Sequence, residues 1–141
     1  MNYKELLELI ENVDPSDTAK LDEIDARCLA LFFGYKFESF GQSKINPNMK
    51  CLKVSGNRID EGSVCQQHLI PQYTRSRDAL KSIRPEGWNF TIQALQKACG
   101  CTAQKDKNLK WSNSLPTEEL TELHAIIQSI QWERENENSN L

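Results

Sequence analysis

The stretch PQYTRSRDALKSIRPEGW, residues 71–88, decides how this chain is read. Thr74 stands where a helix N-cap belongs, and Ala79, Leu80 and Ile83 follow at helical spacing. Pro85-Glu86-Gly87 then stops the run in a turn. Beyond the turn WNFTIQAL alternates, with Trp88, Phe90 and Ile92 on one face of a strand and Asn89, Thr91 and Gln93 on the other. A short helix therefore delivers the chain into a strand that sits over the core. None of these residues forms a recognisable catalytic or cofactor-binding set, so the segment speaks to fold before chemistry.

On the N-terminal side, Leu6, Ile10 and Val13 form one stripe of a helix over Lys4 to Val13, widened by Leu7 and Leu9, before Asp14-Pro15-Ser16-Asp17 breaks it. LDEIDARCLALFFG places Leu21, Ile24, Cys28 and Leu31 at helical spacing and meets Gly34 where a left-handed C-terminal residue belongs. YKFESF reads as a half-buried strand, Met49 to Val54 as a second closed by Ser55-Gly56-Asn57, and Val64 to Ile70 as a partner nearby. On the C-terminal side a loop around Ala103 leads to a last strand at Lys107 to Trp111. A helix from about Pro116 to Glu133 carries Leu120, Leu123, Ile127 and Ile130 on one stripe, and ENENSNL is expected to fray. Helices at both ends, strands between them and one helix inserted midway give an α+β class. The architecture expected is an α-β-α sandwich with a small, mainly antiparallel sheet.

At 141 residues the chain fits one domain. Residues 1–20 are read as an N-terminal helix and linker, 21–133 as the sandwich core and 134–141 as a polar tail. Hydrophobic residues at 38% and charged residues at 26% are ordinary globular usage, which argues against wholesale disorder. The net charge of −3, with Lys and Arg spread along the chain, argues against general binding to phosphate backbones and suits a basic partner surface better. No stretch approaches a membrane span, and MNYKELLELIENV alternates charge with Leu, unlike a signal peptide, so a cytoplasmic protein is expected. Five cysteines, an odd number, make a disulfide framework a poor reading.

Three pieces, LDEIDARCLALFFGY, YTRSRDAL followed by PEGW, and a helix introduced by Leu115-Pro116-Thr117, together resemble the phage ABA sandwich domain family. The positions that match its Tyr-Thr-x-Ser-x-Asp-Ala motif and Pro-x-Gly-Trp turn are Tyr73, Thr74, Ser76, Asp78, Ala79, Pro85, Gly87 and Trp88. The resemblance implies an α-β-α sandwich and a phage or prophage setting. It brings no agreed activity and no catalytic residue.

Cys65-x-x-His68 and Cys99-x-Cys101 hold residue types that zinc takes, but the spacing departs from paired Cys-x-x-Cys knuckles, and no metal or other cofactor is expected. A Cys and His nucleophilic pair, Cys99 or Cys65 with His68 or His124, is a second possibility that nothing in the sequence positively supports; Cys28 lies on an apolar stripe and reads as core. Arg75, Arg77, Lys81 and Arg84 decorate the middle helix. With Tyr73, Thr74 and Trp88 they form the candidate surface for a partner or a small anionic ligand, since guanidinium forks pair with phosphates; a solvated helix face is the plainer account. Lys105, Lys107 and Lys110 before Trp111 make only a weak case for nucleic acid, which is not an expected partner. Asp22, Glu23 and Asp25, like Glu118, Glu119 and Glu122, are read as falling in the first turns of helices, where they complement the dipole, with mimicry of nucleic acid toward a basic host protein as the alternative.

The leading expectation is a non-enzymatic phage or prophage accessory protein that inhibits a host defence component by binding it. The alternatives are a binder that sequesters a small anionic nucleotide and a cryptic Cys-dependent enzyme. Self-association is left open.

Overall fold

Asn2 opens the first helix: its side chain accepts the Glu5 N–H, and the Glu5 carboxylate accepts from the Asn2 N–H in return. This reciprocal cap starts α1, Tyr3–Asn12, whose Leu6 and Ile10 are fully buried. The computed structural model describes residues 2–34, 37–42, 50–54, 67–94, 96, 98–106 and 110–139. Asp17 caps α2, Thr18–Phe33, through the Lys20 N–H, and Gly34 ends it at φ 73°, a left-handed conformation that glycine adopts without a Cβ penalty. Tyr35, Lys36, Met49, the Ser55-Gly56-Asn57 turn and Val64 to Gln66 lie outside the described residues.

Among the described residues four helices and two antiparallel three-stranded sheets are present, which is the expected α+β class. One sheet runs β1 (Phe37–Gln42), β2 (Lys50–Val54), β3 (Gln67–Leu69), and α2 packs against it. The other runs β4 (Asn89–Ala94), β5 (Cys99–Gln104), β6 (Lys110–Leu115), and α4 (Glu118–Ser139) crosses it. Helix α1 touches both α2 and α4, so helix on helix joins the two halves. The short α3, Arg77–Lys81, packs on α4.

α4 is buried on two sides for different reasons. Leu120, Leu123, Ile126 and Ile127 meet Leu6, Ile10, Leu21 and Ile24 in the main core, as the apolar stripe requires. Thr121, Ala125 and Ser129, also buried, recur every four residues, and small side chains at that spacing let the sheet approach closely. The strand facing them is built likewise. On β5 the inward residues Cys101 and Ala103 are buried, and Ala103 sits in register between Phe90 and Trp111.

That strand corrects the loop expected around Ala103. CGCTAQ lacks the bulky branched residues that mark a strand, because large aromatic neighbours fill the space its small side chains leave. Two ends also move. β6 runs on past Trp111 to Leu115, and α4 continues past Glu133 to Ser139 where a frayed tail was expected. Arg134 explains the extension: its guanidinium donates to the Leu31 carbonyl at 3.1 Å and the Phe32 carbonyl at 2.8 Å and meets the Tyr3 hydroxyl. A cation from α4 thus satisfies carbonyls at the C-terminal end of α2, which has no basic residue in its own last turn. Leu21, Ile24, Cys28, Leu123 and Ile127 are buried as expected, whereas Leu31, Phe90 and Ile92 are half-buried.

Candidate functional site

The 71–88 segment is tied to the fold at almost every position singled out in it. Tyr73 is buried and meets the Phe32 ring edge-on at 5.4 Å. Burial, with Cys28 and Asp25 nearby, pushes its hydroxyl far above the ordinary tyrosine range. Thr74 is buried too, and it does not cap the helix: its N–H donates to Asp25 Oδ1 at 2.8 Å. The cap is Ser76, whose extended backbone lets Oγ accept the Ala79 N–H. Gly87 turns at φ 87°, where a Cβ would be strained although the space around it is open.

The cations of the segment face carboxylates of the same chain. Arg75 Nη2 lies 2.6 Å from Asp22 Oδ1 and 2.8 Å from Asp25 Oδ2, clamping the 72–76 turn to α2. Burial raises the Asp25 carboxyl above its usual range even though Arg75 and Thr74 pull it down. Arg84 donates through Nε at 2.7 Å, and also through Nη2, to Glu122 Oε1, and its guanidinium lies 5.5 Å from the Phe90 ring. Glu122, 0% exposed, is not a first-turn dipole partner but the buried centre of a charge cluster. Arg77, with a side chain 46% exposed, stands 3.5 Å from Glu118 and 3.8 Å from Glu122 Oε2. Lys81 faces Asp78 at 3.8 Å on the surface. Arg75, before the helix, therefore meets acids of α2, and Arg84, after it, an acid of α4, which no sequence spacing revealed because these partners lie 38 to 53 residues away.

Trp88 ends the segment in an aromatic cluster. It stacks on Trp111 at 6.3 Å, meets Trp132 edge-on at 6.1 Å and donates its Nε1–H to Glu133 Oε1 at 2.9 Å. Lys105 pairs with the same carboxylate and lies 4.8 Å from the Trp132 ring; this pairing holds the Glu133 carboxyl below its usual range.

The cysteine and histidine candidates do not converge among the described residues. Cys65 lies outside them, and of His68 only the backbone in β3 is described. Cys99 and Cys101 point to one face of β5, and burial followed by the nearby Glu122 charge pushes the Cys101 thiol up to about 11, where it stays protonated and unreactive. His124, from α4, has Nδ1 at 2.8 Å from Asn113 Nδ2 and Nε2 at 2.8 Å from Glu11 Oε1. Both ring nitrogens are thus engaged away from any thiol, and the imidazole joins α1, α4 and β6. Among the described residues no three potential metal ligands gather, and no helix is long and apolar enough to cross a membrane.

Part of the exposed charge gathers as carboxylates at the helical end. Residues 1–34 hold eight carboxylates against Lys4, Lys20 and Arg27, in a chain of net charge −3, so the remainder is net positive. Glu5, Glu8, Asp14 and Asp17 are exposed on α1 and the turn into α2. Between those helices a cleft of about 260 Å³ opens, lined by Leu9, Asn12, Val13, Asp14, Asp17, Lys20, Glu23 and Ile24. A smaller one of about 130 Å³ lies beside Thr74 and Arg75, with Glu119 on its wall, a poor neighbour for an anion. Compared with protein-family models, curated proteins and solved structures, the chain matches none.

Proposed function

We propose that this chain is a non-enzymatic accessory protein of a phage or prophage that acts by binding in the bacterial cytoplasm, inhibiting a component of the host's defence such as a CRISPR effector or an immune signalling protein. The observation that carries the reading is the separation of charge: Arg75 and Arg84 are spent on the buried Asp25 and Glu122, while exposed carboxylates collect on α1 and the α1–α2 turn. A surface of that sign attracts a basic partner and speeds encounter with it. It is also the sign that proteins built to bind nucleic acid recognise, which is the chemistry of many defence effectors. The phage setting rests on the resemblance carried by Tyr73 to Trp88.

The test is phage plating on a host that carries an active defence effector, with and without the chain. Expression is expected to raise plating, and in purified form inhibition should saturate near one chain per effector, because a binder does not turn over. Unchanged plating across hosts bearing different effectors, or full inhibition at strongly substoichiometric amounts, would overturn it.

A further inference from the structure

The geometry points to the cleft between the end of α1 and the start of α2 as the place where an arginine or lysine side chain of the partner docks, an inference that rests on the binding reading above. Its floor is apolar. Leu9 of α1, Val13 at its C-cap and Ile24 of α2 line it beneath a rim of Asp14, Asp17 and Glu23, on which the one cation, Lys20, is paired with Glu23 at 3.6 Å, and about 260 Å³ suits one long side chain better than a nucleotide.

The rim supplies negative charge of two kinds. The C-terminal end of α1 opens here, with no basic residue in its last turn, so the partial negative charge of its carbonyls is not offset within the helix. Asp14 and Asp17 add full charges. Asp14 accepts from the Ser16 N–H at 2.9 Å and hydroxyl at 2.7 Å, and Asp17 from the Lys20 N–H at 3.2 Å; these donors are neutral. Among the described residues no cation pairs with either carboxylate. Glu23, by contrast, already holds Arg27 at 3.1 Å and Lys20 at 3.6 Å.

The two features together select the occupant. A purely apolar anchor would strip water from Asp14 and Asp17 without replacing it, and a bare cation would gain nothing from Leu9, Val13 and Ile24. Arginine and lysine carry both parts, a methylene stem that lies on apolar surface and a charged head that stays at the polar edge.

The probe is n-pentylguanidinium, which has that stem and head, titrated into the ¹⁵N-labelled protein with guanidinium and 1-pentanol in parallel. Amide shifts should saturate and concentrate in residues 9–24, and each control should bind more weakly than the probe. In the double variant Asp14→Asn and Asp17→Asn, amide side chains still accept from Ser16 and cap α2, so the fold is retained. The probe's affinity should nevertheless fall roughly tenfold, the effect of removing two partly exposed ion pairs. Equal binding of 1-pentanol, undiminished affinity in the folded double variant, or shifts scattered over Glu5 and Glu8 would overturn the assignment. The broader reading fails separately: a protein that takes the probe in this cleft yet never raises phage plating loses the inhibitor function and keeps the site. Plating rescued equally by the double variant removes the site and keeps the function.

Discussion

Glu122 is the buried acid on which Arg84 and Arg77 converge. A fully buried carboxylate is costly unless it is paired, and here Arg84 supplies the close contact while Arg77 stands further off. Removing one member of a buried pair typically costs 3 to 5 kcal/mol, but Arg84 keeps a side chain 30% exposed, so water recovers part of the loss. Glu122→Ala should therefore lower stability by about 2 kcal/mol, seen as a shifted urea midpoint at constant slope, and Glu122→Gln by less; a midpoint unmoved in the alanine variant would remove Glu122 from its central place. Asp25 makes the opposite point about pH. Its carboxyl titrates above the ordinary 3.8 because burial outweighs the Arg75 pair, so the native state holds the proton more tightly than the unfolded one. Its contribution to stability is then fully present below 3.8 and is lost as pH rises through the native value. Unfolding free energies measured across that window should show this slope in the parent protein and not in Asp25→Asn; identical slopes would contradict the burial account.

At the scale of elements, the inserted helix was legible and its cap was not. Thr74 and Ser76 are both competent capping residues two positions apart, and only the pull of Asp25 on the Thr74 N–H decides between them. Ser76→Ala should cost about 1 kcal/mol, read from thermal or urea unfolding, as the loss of an N-cap does; no change would return the cap to Thr74. The amphipathic helices and β4 were legible because their apolar residues repeat at 3.6 or 2. β5 was not, since Cys101 and Ala103 carry little hydrophobic signal and owe their burial to Trp88, Phe90 and Trp111 around them. Ala103→Val should destabilise by about 1 to 3 kcal/mol through overpacking beneath the tryptophans, with a matching change in tryptophan fluorescence; a neutral result would mean the strand is not held that closely against α4. The far end of α4 was hidden for another reason, because Arg134 reaches carbonyls of α2 more than 100 residues earlier in the chain.

For the whole molecule, the candidate residues read from the sequence divide between several places. Tyr73, Thr74 and Arg75 meet α2, Arg77 and Arg84 meet α4, Lys81 faces Asp78 on the surface and Trp88 joins the tryptophans, and the acids they meet are the chain's own. Residue types alone suggested an anion grip because charge partners distant in sequence are invisible until the chain is folded. The binding face proposed is the acidic end formed by α1 and the α1–α2 turn, and the central claim is that binding resides there. The direct measurement is phage plating on a defended host with two folded variants side by side: Glu8→Gln, Asp14→Asn and Asp17→Asn combined, and Arg77→Gln, the most exposed arginine of the cluster. The account predicts that the first loses protection of the phage and the second keeps it. Protection retained by the neutralised acidic face and lost with Arg77 would contradict it.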